Sequence, residues 1–215
     1  MGRIPTLYTE SFFGTALPNW LTATSSGTGA GVTYETSSGD PGSDTGNVIL
    51  SPGSTTTGAC GIKTTTGFSA GANTNTLSCN MILGYFDGVS TVTDRFTVRM
   101  GFLDSITAEP SNGMYFRYVD NVNSGKWQFV TRAGGSETAV DTGLAGSSNF
   151  GIPFQILANK AGTACYWSVN NGALTQATAN LPITNARPFA WGASVIKSTG
   201  TNAYTTHLGE VSLFW

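Results

Sequence analysis

The sequence predicts an all-β protein, about twelve short antiparallel strands packed as a sandwich or a barrel. Three observations carry this. Apolar and polar residues alternate with a period of two in many short runs. Clusters of Gly, Asn, Ser and Pro punctuate those runs about every 8–12 residues. No helical periodicity persists beyond two turns, and no internal repeat or second-domain boundary is visible.

The strands follow in chain order. Val32–Glu35 is a short strand within the loop-like stretch 25–47. "NVILS" and "GACGIKTTT" come next, then "TLSCNMILGYF", which sets Leu77, Cys79, Met81, Leu83 and Tyr85 on one parity. "RFTVRMGFL" puts Phe96, Val98, Met100 and Phe102 on one face and Thr97 and Arg99 on the other. "MYFRYV" and "KWQFVTRA" form a hairpin across "DNVNSG", and "AGGSE" turns into a third strand, "TAVDTG". This meander is expected in the middle of a sheet. "PFQILANK" and "ACYWSVN" pair across "AGT", with a further turn at "NNG". "RPFAWGASVIKS" and "AYTTHLGEVSLFW" close the chain as given. Alternation sends Trp127, with Phe129, and Trp167, with Cys165 and Val169, to the core. His207 shares parity with Val211, Leu213 and Trp215 and reads as a hydrogen-bonded structural histidine.

Two segments are expected: an apolar arm, 1–24, and one domain, 25–215. The arm carries Leu7, Tyr8, Phe12, Phe13, Leu17 and Trp20, with Pro5 and Pro18 breaking any long helix. It either packs back on the domain or docks on a neighbouring subunit. Docking is the expectation, with Phe12, Phe13, Leu17 and Trp20 as the anchor, because such side chains are worth about 1.5–3 kcal/mol each when buried.

Composition excludes several classes. A chain of 215 residues can bury about 70% of its unfolded surface without metals or disulfides. Charged residues are 10% of the chain, against about 25% usually, so Gly, Ser, Thr and Asn fill the polar positions. The net charge is −2 and the basic residues are scattered, which offers no nucleic-acid footprint. No apolar run of about 18 residues suits a membrane helix, and no apolar h-region marks a secretory signal, so folding in a cytoplasm is expected. Cys60, Cys79 and Cys165 read as buried thiols, although a Cys60–Cys79 bridge stays open.

The succession "GNVILSPGSTTTGACGIKT", "DRFTVRMGFLDS", "GMYFRYVDNVNSGKWQFVTRAGGSETAVDTG", "PFQILANKAGTACYWSVNNG" and "NLPITNARPFAWGASVIKSTGTNAYTTHLGEVSLF" resembles the concanavalin A-like (laminin-G-like) jelly rolls of bacteriophage virion proteins. The resemblance covers residues 25–215. It implies a two-sheet antiparallel sandwich with an extended N-terminal arm. It also implies a virion protein, made in the host cytoplasm, that decorates the capsid or forms a fibre module. Expected partners are other virion proteins and further copies of the chain in a homotrimer. The alternative is a tail-fibre adhesin that binds host glycans. Many relatives carry an Asp in the last strand. Glu210 stands nearest that place here, so no metal or ligand role is carried over to it.

Chemistry is sparse, and no enzyme is expected. One histidine and no GxSxG elbow argue against a hydrolytic triad. No strand carries two carboxylates at i, i+2 to flank a sugar. Asp104, Glu109, Glu137 and Asp141 read as turn caps and solvated charges. No cofactor is expected beyond an open Ca²⁺ site in the Asp40–Asn47 loop, with Asp40, Asp44 and Asn47 as ligands. Outward parity on the meander leaves Tyr115, Arg117, Gln128 and Arg132 as candidate glycan contacts, since aromatic faces stack on sugars and polar tips bond hydroxyls.

Overall fold

The computed structural model describes residues 7–35, 46–68, 76–146, 151–182 and 189–215. Among these, fifteen strands form. They are β1 (Leu7–Glu10), β2 (Leu21–Ser26), β3 (Gly31–Glu35), β4 (Asn47–Ser51), β5 (Ala59–Thr64), β6 (Leu77–Phe86), β7 (Phe96–Leu103) and β8 (Gly113–Tyr118). β9 (Lys126–Ala133), β10 (Ser136–Ala145), β11 (Ile152–Ala158), β12 (Cys165–Val169), β13 (Thr175–Ala177), β14 (Ala190–Lys197) and β15 (Thr206–Phe214) complete them. A 3₁₀ turn, Asn123–Gly125, closes the β8–β9 hairpin, and Asn123 and Ser124 there have φ of 53° and 55°.

Two antiparallel sheets face each other. One has the order β13-β12-β11-β6-β15-β4-β3, with β1 also on β15; the other runs β10-β9-β8-β7-β14-β5-β2. The expected two-sheet sandwich is therefore present. The β8-β9-β10 meander does not lie mid-sheet: β10 is an edge, and its exposed Glu137 and Asp141 suit an edge that must not pair with another chain.

The core lies between the sheets and is aromatic. Trp127 on β9 stacks on Phe86 of β6, with ring centroids 5.8 Å apart. Trp167 on β12 stacks on Phe129 of β9 at 5.4 Å, and Phe116 on β8 meets Phe154 of β11 edge-on at 4.9 Å. Each pair joins one sheet to the other. Such pairs contribute about 0.5–1.5 kcal/mol beyond their burial.

The arm expectation needs correction. Residues 7–24 belong to the sandwich: β1 pairs with β15 and β2 with β5. Phe12 is 1% exposed within the core, and its backbone N–H donates to Glu10 Oε1 at 2.9 Å in a tight turn. Trp20 stacks on Tyr8 at 4.8 Å, and Trp20 and Leu17 pack against the core. Burying these rings at home is worth more than leaving them for a partner. Of the four expected anchors only Phe13 is exposed, at 64%.

Three further readings change. A register shift in β15 turns Leu208, not His207, toward Val211 and Leu213. In β6, Phe86 rather than Tyr85 enters the core after Leu83. All three cysteines are buried and free, and Cys60 and Cys79 lie in opposite sheets, so the bridge left open is absent. Asp40 and Asp44 of the calcium loop lie outside the described residues, and Asn47 Nδ2 donates to Glu35 Oε2 at 3.1 Å.

Candidate functional site

Along β8 and β9, core residues Met114, Phe116, Trp127 and Phe129 alternate with Tyr115, Arg117, Gln128 and Arg132. All four sequence-nominated residues therefore share the outer face of the seven-stranded sheet. The pairing register draws them together. Arg117 stands opposite Gln128, and Arg132 opposite Glu137 on β10. Arg117 donates to Gln128 Oε1 at 2.9 and 3.3 Å and to both Glu137 oxygens at 2.8 and 3.0 Å. Arg132 Nη1 donates to Glu137 Oε2 at 3.0 Å.

A second carboxylate arrives from the β7–β8 loop. Asp104 closes the base of that loop by accepting from Ser111 N at 2.9 Å and Asn112 Nδ2 at 2.8 Å. Ile106, 4% exposed, lies over the sheet at two glycines. A side chain at Gly192 would meet its Cγ2 at 2.8 Å, and one at Gly61 its Cβ at 3.2 Å. The loop thus lies across the sheet and delivers Glu109. Its carboxylate accepts from Arg99 Nη2, from Arg132 Nη1 at 2.9 Å and from the Tyr115 hydroxyl at 3.2 Å.

Tyr115 is not a surface contact. It is on the expected face but 0% exposed, packed with Leu103, Ile106 and Val130. Burial, then the Glu109 charge, pushes its hydroxyl up, so it remains a proton donor to that carboxylate. Sequence reasoning missed Glu109 and Glu137 as members of the site. The signal available was the outward parity of Arg99, Arg117 and Arg132, three cations on one face that need anions. Asp104 does cap its loop as expected, and Asp141 accepts from Gly143 N at 2.7 Å.

Beside the network is a cleft of about 390 Å³ lined by Arg95, Thr97, Arg99, Glu109, Arg117 and Ser198. Arg95 is held by Asp120 in two hydrogen bonds of 2.9 and 3.0 Å, which, with Ser90, keep the Asp120 carboxyl below the usual range. Four of the six arginines of the chain, Arg95, Arg99, Arg117 and Arg132, are therefore on this one face. The outer face of the other sheet has its own cleft, of about 280 Å³, lined by Asn80, Ile82, Pro153, Gln155, Ser168 and Glu210.

His207 sits elsewhere, on β15 of the other sheet, with the ring of Tyr85 from the neighbouring β6 stacked on it at 3.7 Å. Its Nε2 is 3.0 Å from Thr205 Oγ1 and its Nδ1 3.5 Å from Glu35 Oε2. Hydroxyl, imidazole and carboxylate stand in series, but the imidazole is covered at 5% side-chain exposure. Burial holds His207 below its ordinary range, opposed by Glu35. The arrangement joins β3 to β15, in keeping with a structural histidine.

Two facing antiparallel sheets with this topology give the chain a concanavalin A-like jelly-roll fold. The chain belongs to the SO2946-like, C-terminal domain family, whose match spans residues 43–208. No curated protein matches it significantly. Peanut lectin superposes with a TM-score of 0.64 at 9% identity, covering 99% of this chain and 97% of the lectin. An endo-1,3-beta-glucanase from Streptomyces sioyaensis gives 0.63 at 13% identity, covering 100% and 99%. The Emp47p carbohydrate recognition domain gives 0.62 at 14% identity, covering 96% and 94%. These likenesses establish the fold.

Proposed function

We propose that the chain is a carbohydrate-binding jelly-roll module and holds its ligand on the outer face of the seven-stranded sheet. The observation that carries this is the convergence of Arg117, Gln128, Arg132 and Glu137 into one hydrogen-bonded platform beside an open cleft. Guanidinium, amide and carboxylate groups fixed side by side on one sheet face suit paired hydroxyls of a sugar. The lectin and carbohydrate recognition domain among its structural neighbours support the reading.

The role proposed is binding without hydrolysis, although glycosidases share the fold. Glu109 and Glu137 are the two carboxylates of the platform, and each is engaged by arginines. Their lone pairs are committed to guanidinium donors rather than to a water or a glycosidic oxygen. The test is glycan binding by the intact chain, with Arg117→Gln as the variant that removes the centre of the platform.

A second reading concerns where the module works. We propose a virion setting, as a capsid decoration or a fibre module in a homotrimer. Its support is the likeness of the strand-and-turn succession to the jelly rolls of phage virion proteins, and one apolar pair. Leu7 and Phe214 face each other across β1 and β15, and they are 53% and 36% exposed. Together with Phe13 they are side chains that association would cover. Cryo-electron microscopy of particles with and without the protein tests this, and an absence of difference density would reject it.

A further inference from the structure

Arg99 and Arg117 are direct cross-strand partners on β7 and β8. Like charges so placed repel and destabilise a sheet unless an anion lies between them. Glu109 supplies that anion. Its carboxylate takes hydrogen bonds from Arg99, Arg132 and Tyr115, and Arg117 Nη1 is 3.7 Å away.

The three guanidiniums outnumber the two carboxylates, Glu109 and Glu137, that they share. A carboxylate has about four lone-pair sites, while each guanidinium has five N–H groups. Among the described residues Arg99 Nε and Arg132 Nε are buried with no hydrogen-bond partner, and the Arg99 side chain is only 8% exposed. Two guanidiniums and a phenol bonded to Glu109, with Arg117 beside them on Glu137 and Gln128, are more than a surface loop needs for its attachment, which Ile106 and Asp104 already provide. Glu109 itself is 39% exposed at its side chain. A second carboxylate in its place would recover the same bonds.

We propose that this is a carboxylate-recognition site in which Glu109 is the resident ligand, displaced by the carboxylate of an acidic sugar. The inference rests on the carbohydrate-binding reading and narrows it to glycans bearing uronic acids or sugars of like charge. Glu109 then acts as a tethered competitor. Its effective concentration, on the order of millimolar for a short tether, weakens binding in the unmodified protein and filters out lone monosaccharides.

The test is titration of the full chain with a galacturonic acid trisaccharide and with a neutral galactose trisaccharide. The unmodified protein binds the acidic trisaccharide more tightly than the neutral one. Glu109→Ala binds the acidic trisaccharide about tenfold more tightly again, and its preference for the acidic over the neutral trisaccharide widens. Glu109→Gln, which keeps the shape without the charge, serves where the alanine variant does not fold. Equal binding of both trisaccharides by the unmodified protein overturns the inference and leaves the carbohydrate-binding reading standing. No tightening in a folded Glu109 variant does the same. Failure of both sugars to bind removes both readings.

Discussion

Arg117 on β8 and Glu137 on β10 are joined by hydrogen bonds of 3.0 and 2.8 Å although β9 lies between their strands. Gln128 of β9 fills the space below, accepting from the same guanidinium. Three strands thus present one fixed surface. Removing Arg117 leaves Glu137 with Arg132 and Glu109 with Arg99 and Arg132. Arg117 is only 14% exposed at its side chain, so Arg117→Gln is expected to cost about 1–3 kcal/mol of stability, measured by urea denaturation, and binding is compared where the variant is shown to be folded.

Phe12 and Phe13 are neighbours with opposite fates, 1% and 64% exposed. Phe12→Ala is expected to cost about 3–5 kcal/mol, whereas Phe13→Ala stays within about 0.5 kcal/mol. Chemical denaturation of both variants checks this. Deleting the segment through residue 20 removes β1 and the Tyr8–Trp20 stack, so it destabilises the sandwich instead of freeing an arm.

How far the fold was legible follows from these residues. Strict alternation exposes a half-buried strand, so Phe116, Trp127, Phe129 and Trp167 could be assigned to the core. The segment around β1 could not be read in this way, because its partner is Val211–Phe214 at the far end of the chain and its pattern is cut by prolines. The site was half legible for the same reason. Parity identified the face of Arg117, Gln128 and Arg132. The burial of Tyr115 and the arrival of Glu109 depend on a loop laid over two glycines, which is a tertiary event. Parity also failed at His207, where a register shift exchanges the faces of β15.

His207 gives a pH dependence. Burial lowers its folded pKa beneath the unfolded value, with Glu35 and Asp87 opposing. The unfolded chain then binds the extra proton first. Stability contributed by the neutral imidazole is full above the unfolded pKa of about 6.5 and is lost as pH falls from there toward the folded value. His207→Gln is expected to flatten the stability profile in that window, as measured by thermal unfolding across pH.

The cysteines should be silent. Burial pushes Cys60 up to about 11 and Cys79 and Cys165 further in the same direction, so little thiolate forms near neutrality. A thiol-specific reagent is expected to titrate none of the three until denaturant is added. Rapid labelling of the native protein would contradict their placement.

Glycan binding by the unmodified chain, compared with Arg117→Gln and with Gln155→Ala on the opposite outer face, tests the central claim most directly. Oligosaccharide binding is expected with Kd between about 1 μM and 1 mM. Arg117→Gln is expected to lose about tenfold or more, and Gln155→Ala nothing. Binding that survives Arg117→Gln and vanishes in Gln155→Ala would move the site to the other sheet. No binding of any glycan would contradict the carbohydrate-binding reading itself.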